Sequence, residues 1–302
     1  MSVSFRSAKS QAQHIVKQLA SHGIDRHSHK REGRIHGLGT ERCTKDALAV
    51  FCGWLKGEAR GDLNHVTRRD CVDYLEQRSE AVGQSALNAD RQALNRLLSV
   101  THPGDSKLPV VRSEIPKILA GRAYTEAQVA AIAERQNIRN ALVSELAFRT
   151  GIRAHEALSI RPIAEQPRTH RQWRSDLSSG REDHVQYTVQ GKGGLIRAIF
   201  IPVDLAERLE ARRLTEPVLV VDRGIMYQSH YDISGGQKFS QSFSAASVRA
   251  LGFSHGAHGC RHAFVQDSME ALKKGGYSDV DAREITANLV GHFRDLIGAY
   301  LR

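Results

Sequence analysis

The sequence lacks any C-x-x-C pair. Its four cysteines, Cys43, Cys52, Cys71 and Cys260, stand apart, which argues against a zinc ribbon or a thioredoxin-type redox centre and leaves reduced thiols as the default. No run of residues approaches the roughly 18 consecutive apolar positions of a membrane span. The opening MSVSFRSAKSQAQHIVKQLA has no apolar core of the secretory kind, so a soluble, cytoplasmic protein without membrane contact is expected. A nucleotide-binding G-x-x-x-x-G-K-[ST] spacing is absent, so an ATPase reading has no support. Internal repeats and low-complexity tracts are also missing. Acidic residues are in deficit, 33 against 43 Lys and Arg, for a formal charge of +10. That excess suits a polyanionic partner, and it suits ordinary basic solubility equally well, so charge alone does not choose.

What is present is an ordinary globular composition, 40% hydrophobic and 25% charged, which excludes wholesale disorder. A chain of 302 residues is long enough for two cores. Residues 1–39 are polar, His-, Lys- and Arg-rich, and read as a basic arm with one helix over SAKSQAQHIVKQLASHG. From residue 40 to 112 the apolar positions recur at helical spacing: Ala47, Leu48, Phe51, Trp54 and Leu55, then a segment capped by Thr67, then Leu87, Leu94, Leu97 and Leu98. None of these short helices can bury its stripe alone, which predicts a small bundle.

The stretch 102–124 carries three of the seven prolines and loses the period; it reads as the connection between domains, with the linker proper at 113–122. A second domain over 123–302 opens with a capping-box pattern, Thr125 to Gln128, and a helix that stops at Gly151. HVQYTVQ and LIRAIFIPV flank GKGG as a predicted hairpin, and helical text returns to the end. The fold class predicted is mainly α with a small antiparallel β-sheet (α+β).

Chemistry concentrates at a few points. RTGIRAHEAL places Arg153 two residues past Gly151, at the expected start of a new helix, with Glu156 three residues on. A guanidinium beside free helix N–H groups suits a phosphate; a surface Arg–Glu pair is the plain alternative. Lys192 stands at the glycine-flanked tip of the hairpin, where the backbone can approach a ligand, although most turn lysines are simply solvated. HGAHGCRHAF brings His255, His258 and His262 together with Arg261. The histidine spacing alone allows a zinc set or one helical face, but a permanent cation in its midst disfavours a metal ion. LVGHFRDLIGAYLR adds His292 and Tyr300.

Taken in order, Arg153, Lys192, His258, Arg261, His292 and Tyr300 resemble the site of the tyrosine recombinases, the phage-integrase family, over roughly residues 44–302. TGIRAHEAL is similar to the family's first-arginine box, GKGG to its hairpin lysine, HGCRHAF to its H-x-x-R box, and LVGH with AYLR to its terminal histidine and nucleophile. The HG-x-RHA text with YLR resembles proteobacterial prophage or genomic-island integrases. The resemblance implies a helical, SAM-like core-binding domain followed by a catalytic domain, closing on double-stranded DNA as a homo-oligomer, a tetramer, with DNA-bending accessory proteins as possible partners. No cofactor and no metal are expected. It also implies that Tyr300 forms a 3′-phosphotyrosine link, that Arg153, Arg261 and His292 hold the phosphate, that Lys192 is the general acid, and that His258 orients or deprotonates the tyrosine. Glu156 would fix Arg153, and His262 would support the helix. A DNA-binding relative without strand transfer and a type IB topoisomerase-like relaxing enzyme are the rival readings.

Departures are visible too. His292 to Tyr300 is one residue shorter than the usual family spacing, Cys260 and Val290 replace usual residues, and only Leu301 and Arg302 follow Tyr300. Assembly through a surface other than a C-terminal helix, or a weaker assembly, is therefore expected.

Overall fold

The computed structural model describes residues 7–24, 33–104, 107–116, 120–293 and 297–301, with the Lys192 side chain outside that set. The chain divides into two compact units, Met1–Ile118 and Leu119–Arg302.

Helices α1 (Ala8–Leu19), α2 (Leu38–Gly57), α3 (Arg68–Ser79) and α4 (Gln84–Thr101) make the first unit. Thr67 caps α3 with a reciprocal capping box to Asp70, satisfying two N–H groups that the helix itself leaves orphaned. Leu48, Phe51 and Leu55 from α2 meet Leu94 and Leu97 from α4 in one core. The stretch read as a basic arm is in part core, which is a correction: Ala12, Ile15, Val16 and Leu19 are buried against that cluster, and Ile35 with them. Their i, i+3, i+4, i+7 spacing gives α1 an apolar face that belongs inside. Leu108 is buried in the same core, so the connection keeps to this unit well past α4. The expected linker residues 117–119 lie outside the described residues.

The second unit holds α5 (Glu126–Glu134), α6 (Ile138–Thr150), α7 (Val203–Glu210), α8 (Gly236–Leu251), α9 (His258–Lys274) and α10 (Asp279–Leu289). Its strands are β1 (Arg161–Pro162), β2 (His184–Gln190) and β3 (Ile196–Pro202) in an antiparallel sheet of that order, and β4 (Arg213–Asp222) with β5 (Ile225–Tyr231) as a separate ribbon. The hairpin around GKGG is β2–β3, in continuous register from His184 opposite Pro202 to Gln190 opposite Ile196. β3 is covered on both faces. Ile199 and Ile201 join the cluster of Leu146 and Phe243, while Ala198 and Phe200 join that of Val265 and Ile285 on α9 and α10. Two-sided burial explains why LIRAIFIP reads as an apolar run interrupted only by Arg197.

The chain is thus mainly helical with small antiparallel sheets. The β4–β5 ribbon has no counterpart in the sequence reading. Its Leu219, Val221 and Met226 share one exposed face, Val221 standing opposite Met226. Among the described residues, no helix is long and apolar enough to cross a membrane.

Candidate active site

α6 ends at Gly151, whose φ of +63° closes the last turn through its N–H to the Ala147 carbonyl, 3.0 Å. Any Cβ here would meet the Phe264 ring at 2.4 Å, so glycine is required twice over, by conformation and by space. The reversal delivers Arg153. No α-helix begins there, contrary to the sequence expectation: Glu156–Ser159 is one 3₁₀ turn, and Ile160 is already extended toward β1. A helix dipole is therefore unavailable to a ligand at Arg153, and the turn is held by a buried carboxylate. Glu156 accepts from the Arg153 backbone N–H at 2.8 Å, from its Nη1 at 2.7 Å, and from Arg197 Nη2 at 2.7 Å.

Glu156 is wholly buried. Burial alone would raise its carboxyl, but Arg197, Arg261 and Arg153 together hold it far below the usual carboxylate range. The carboxylate is ionised at any working pH, and the local charge is net positive.

Arg261, on the first turn of α9, has no exposed surface. Its Nη1 donates to the Gly151 carbonyl at 2.6 Å and its Nη2 to the Val290 carbonyl, while Nε finds no partner among the described residues. Burial first, then repulsion from Arg197 and Arg153, lowers this guanidinium to about 10. Arg153, by contrast, keeps 26% of its side chain open. Of the two arginines expected to grip one phosphate, the structure leaves Arg153 partly open and inserts Arg261 between two backbone segments.

His292 follows Gly291, which takes φ +76° just after α10. Its Nε2 lies 3.2 Å from Arg153 Nη2. Tyr300 is buried at the end of the described chain, its carbonyl accepting from Gln266 Nε2 at 2.8 Å. Three imidazoles surround its ring: His262 at 4.8 Å between centroids, His258 at 5.5 Å and His292 at 6.2 Å. The Arg261 Cζ stands 5.7 Å from the same ring. His258 is lowered to about 4 by packing around its ring, then by Arg261, His262 and Arg153. His292 is lowered to about 4 by burial, then by Arg261, Arg153 and Arg197.

Lys192 opens the 3₁₀ turn Lys192–Gly194, where Gly193 and Gly194 both take positive φ. That turn starts beside the site: a Cβ on Gly191 would sit 3.2 Å from Glu156 Oε1, and the Gln190 N–H donates to Ser159 Oγ at 2.9 Å.

His255 goes elsewhere, its N–H donating to Tyr124 Oη at 2.6 Å and its ring tilted on Tyr124 and Phe253. Beside it α9 starts in very tight quarters. A Cβ on Gly259 would lie 2.4 Å from the Tyr124 ring and 2.6 Å from the Arg122 carbonyl.

Arg153, Glu156, Arg261, His258, His262, His292 and Tyr300 are thus brought into one neighbourhood, with the Lys192 turn at its edge. Arg197 and Gln266 belong to it and were not singled out in the sequence. An arginine in the middle of an apolar strand is a signal in itself, since such a charge must be paired to be buried. Among the described residues, no group of three His, Cys, Asp or Glu side chains could hold a metal ion. The assembled groups can bind an oxyanion at Arg153 and set a phenol among three neutral imidazoles.

No family model and no curated protein matches the sequence. Solved structures do. The XerH site-specific recombinase bound to its difH substrate in a pre-cleavage complex is 15% identical, with a TM-score of 0.55 over 97% of this chain and 91% of that one. A lambda integrase tetramer bound to a Holliday junction gives 17%, 0.53, 97% and 76%. The Tn1549 transposon integrase in complex with circular-intermediate DNA gives 13%, 0.51, 96% and 95%. At such identities the likeness is one of backbone, and the backbone described above is that of the tyrosine recombinase and integrase fold.

Proposed function

We propose that the chain is a site-specific DNA recombinase that cuts and rejoins duplex DNA through a 3′-phosphotyrosine link. The observation that carries the reading is the packing of the Tyr300 ring among His258, His262 and His292 beside Arg261, with Arg153 bonded to His292. Tyr300 Oη attacks the phosphorus, the bond to the 5′-oxygen breaks, and Lys192 supplies the proton that this oxygen needs to leave. His258, neutral at working pH, takes the phenol proton or orients it. Arg153 and His292 bind the non-bridging oxygens, where charge gathers in the transition state. The bond energy stays in the phosphotyrosine, so the freed 5′-hydroxyl rejoins by the reverse attack without a cofactor. Two sites held by four copies give strand exchange. A net charge of +10 favours binding dominated by backbone phosphates and weakened by salt.

One observation favours a second reading, a DNA-binding relative without strand transfer: the Arg261 guanidinium is fully buried and donates to two backbone carbonyls. Covalent trapping separates the two. Duplexes selected from a random library by the Tyr300→Phe variant, nicked and incubated with the unaltered chain, should yield an adduct that survives SDS. Salt-sensitive binding to the same duplexes with no adduct would select the accessory reading.

A further inference from the structure

Two buried guanidiniums span the same gap. Arg261 joins the carbonyl of Gly151 to that of Val290. Arg197, 1% exposed at the side chain, joins Glu156 to the carbonyl of Leu289: Nη2 donates to Glu156 Oε2 at 2.7 Å, and Nη1 donates to Leu289 O at 2.5 Å. On one side of the gap lies the 151–156 turn that bears Arg153; on the other lies the end of α10 that bears His292. The Arg197 stem runs beneath Gly291, where an added Cβ would stand 3.0 Å from its Cδ.

The contacts close a ring. From Arg197 it passes to Glu156, from Glu156 to Arg153 Nη1, from Arg153 Nη2 to His292, and along the chain from His292 back to Leu289 and Arg197. Within that ring Arg153 and His292 are partly exposed, and the Arg197 side chain is buried. A guanidinium fork can reach two acceptors in different segments at once, whereas a lysine ammonium, shorter and single-pointed, can keep the charge and serve only one of them well.

We propose that Arg197 is a positioning residue for strand cleavage, setting the separation of Arg153 and His292 by tying the carboxylate that holds the first to the carbonyl that precedes the second. The proposal rests on the recombinase reading above. It makes the phosphate site a property of β3 as much as of the two motifs that contact the phosphate. Displacing either group by about 1 Å is enough to matter for a reaction that depends on oriented donors.

The test uses the full chain as unaltered protein, Arg197→Lys and Arg197→Met, on the nicked duplexes selected by Tyr300→Phe. Binding constants, single-turnover adduct rates and amide hydrogen exchange are measured for each. Both variants should bind within about 3-fold of the unaltered chain and form adduct at least about 30-fold more slowly, the pattern of an interaction realised in the transition state. Exchange should quicken at the Arg153 and His292 amides in both variants while α6 stays protected. Arg197→Lys retains the buried charge, so it reports on geometry even where Arg197→Met fails to fold.

An adduct rate for Arg197→Lys near that of the unaltered chain overturns the proposal. So does a loss of binding, rate and α6 protection together, which would make Arg197 a general core residue. If the unaltered chain gives no Tyr300-dependent adduct, the recombinase reading fails. Unaltered exchange at Arg153 and His292 in a folded Arg197→Lys variant overturns the brace itself, so the two failures are read by different measurements.

Discussion

Arg153 Nη2 meets His292 Nε2 at 3.2 Å, across 139 residues of sequence. An arginine can only donate, so His292 Nε2 is the acceptor and the ring is neutral, with its proton on Nδ1. That Nδ1 is buried and has no partner among the described residues. In this resting arrangement the two groups that should hold a phosphate instead hold each other. A phosphate oxygen must part them, and His292 can donate to it only after gaining or shifting a proton.

His292 should therefore titrate differently with and without DNA. Alone, His258 and His292 stay neutral until about pH 4. Histidine ring resonances followed by NMR should show neither ring titrating near its ordinary 6.5. A bound phosphodiester should raise His292, because an anion favours the charged ring. The unfolded chain takes up these protons near 6.5 and the folded chain only near 4, so both groups withdraw stability as pH falls through that window. Urea midpoints measured from pH 7 to pH 4 should decline accordingly.

Arg153→Gln removes the partly open guanidinium while leaving its neighbours in place. Adduct formation should fall about 100-fold or more, the size of effect seen when one oriented donor is lost from a charge-stabilising site. Binding should weaken far less, and its slope against salt should flatten by about one phosphate. Equal losses in rate and binding would show that Arg153 serves ground-state affinity only.

Glu156→Gln should destabilise the second unit by about 3–5 kcal/mol, since it leaves the buried cations Arg197 and Arg261 without their counter-charge. The sign with pH is the same as that of the histidines, in a more acid window. Here a depressed carboxyl contributes stability fully above its ordinary 4.5 and loses it as pH falls from there toward its folded value. The difference between Glu156→Gln and the unaltered chain, measured by urea unfolding, should therefore shrink below about pH 4.5.

Gly259→Ala should cost about 1–3 kcal/mol by overpacking, because the new methyl has backbone and ring on either side and nowhere to go. A thermal scan checks it. The same change should slow adduct formation, since His258 is the adjoining residue.

Much of this was legible from periodicity and caps. Thr67, Thr125 and Gly151 ended or began their helices where the text indicated, because capping chemistry is local. The β2–β3 hairpin announced itself by the paired glycines with positive φ at its tip. What failed was whatever depended on distant partners. Arg153 was read as a helix start two residues past Gly151, yet the Glu156 carboxylate is claimed by Arg197 from a strand, and the turn stays 3₁₀. The spread of arginines told nothing of which would be buried, and Arg261 became a brace between carbonyls. The apolar stripe of α1 was masked by the polar residues around it. The β4–β5 ribbon, exposed on both sides at its tip, lacks the alternation that marks a half-buried strand.

Gly259 carries one more consequence. The polypeptide that joins the two units enters the second one through Arg122 and Tyr124, and at that point it is pressed against the first turn of α9 with no room for a methyl group. The covalent tether is thus fastened one residue from His258. A substitution that shifts Arg122 or Tyr124 against Gly259 should therefore displace the imidazole that packs 5.5 Å from the Tyr300 ring.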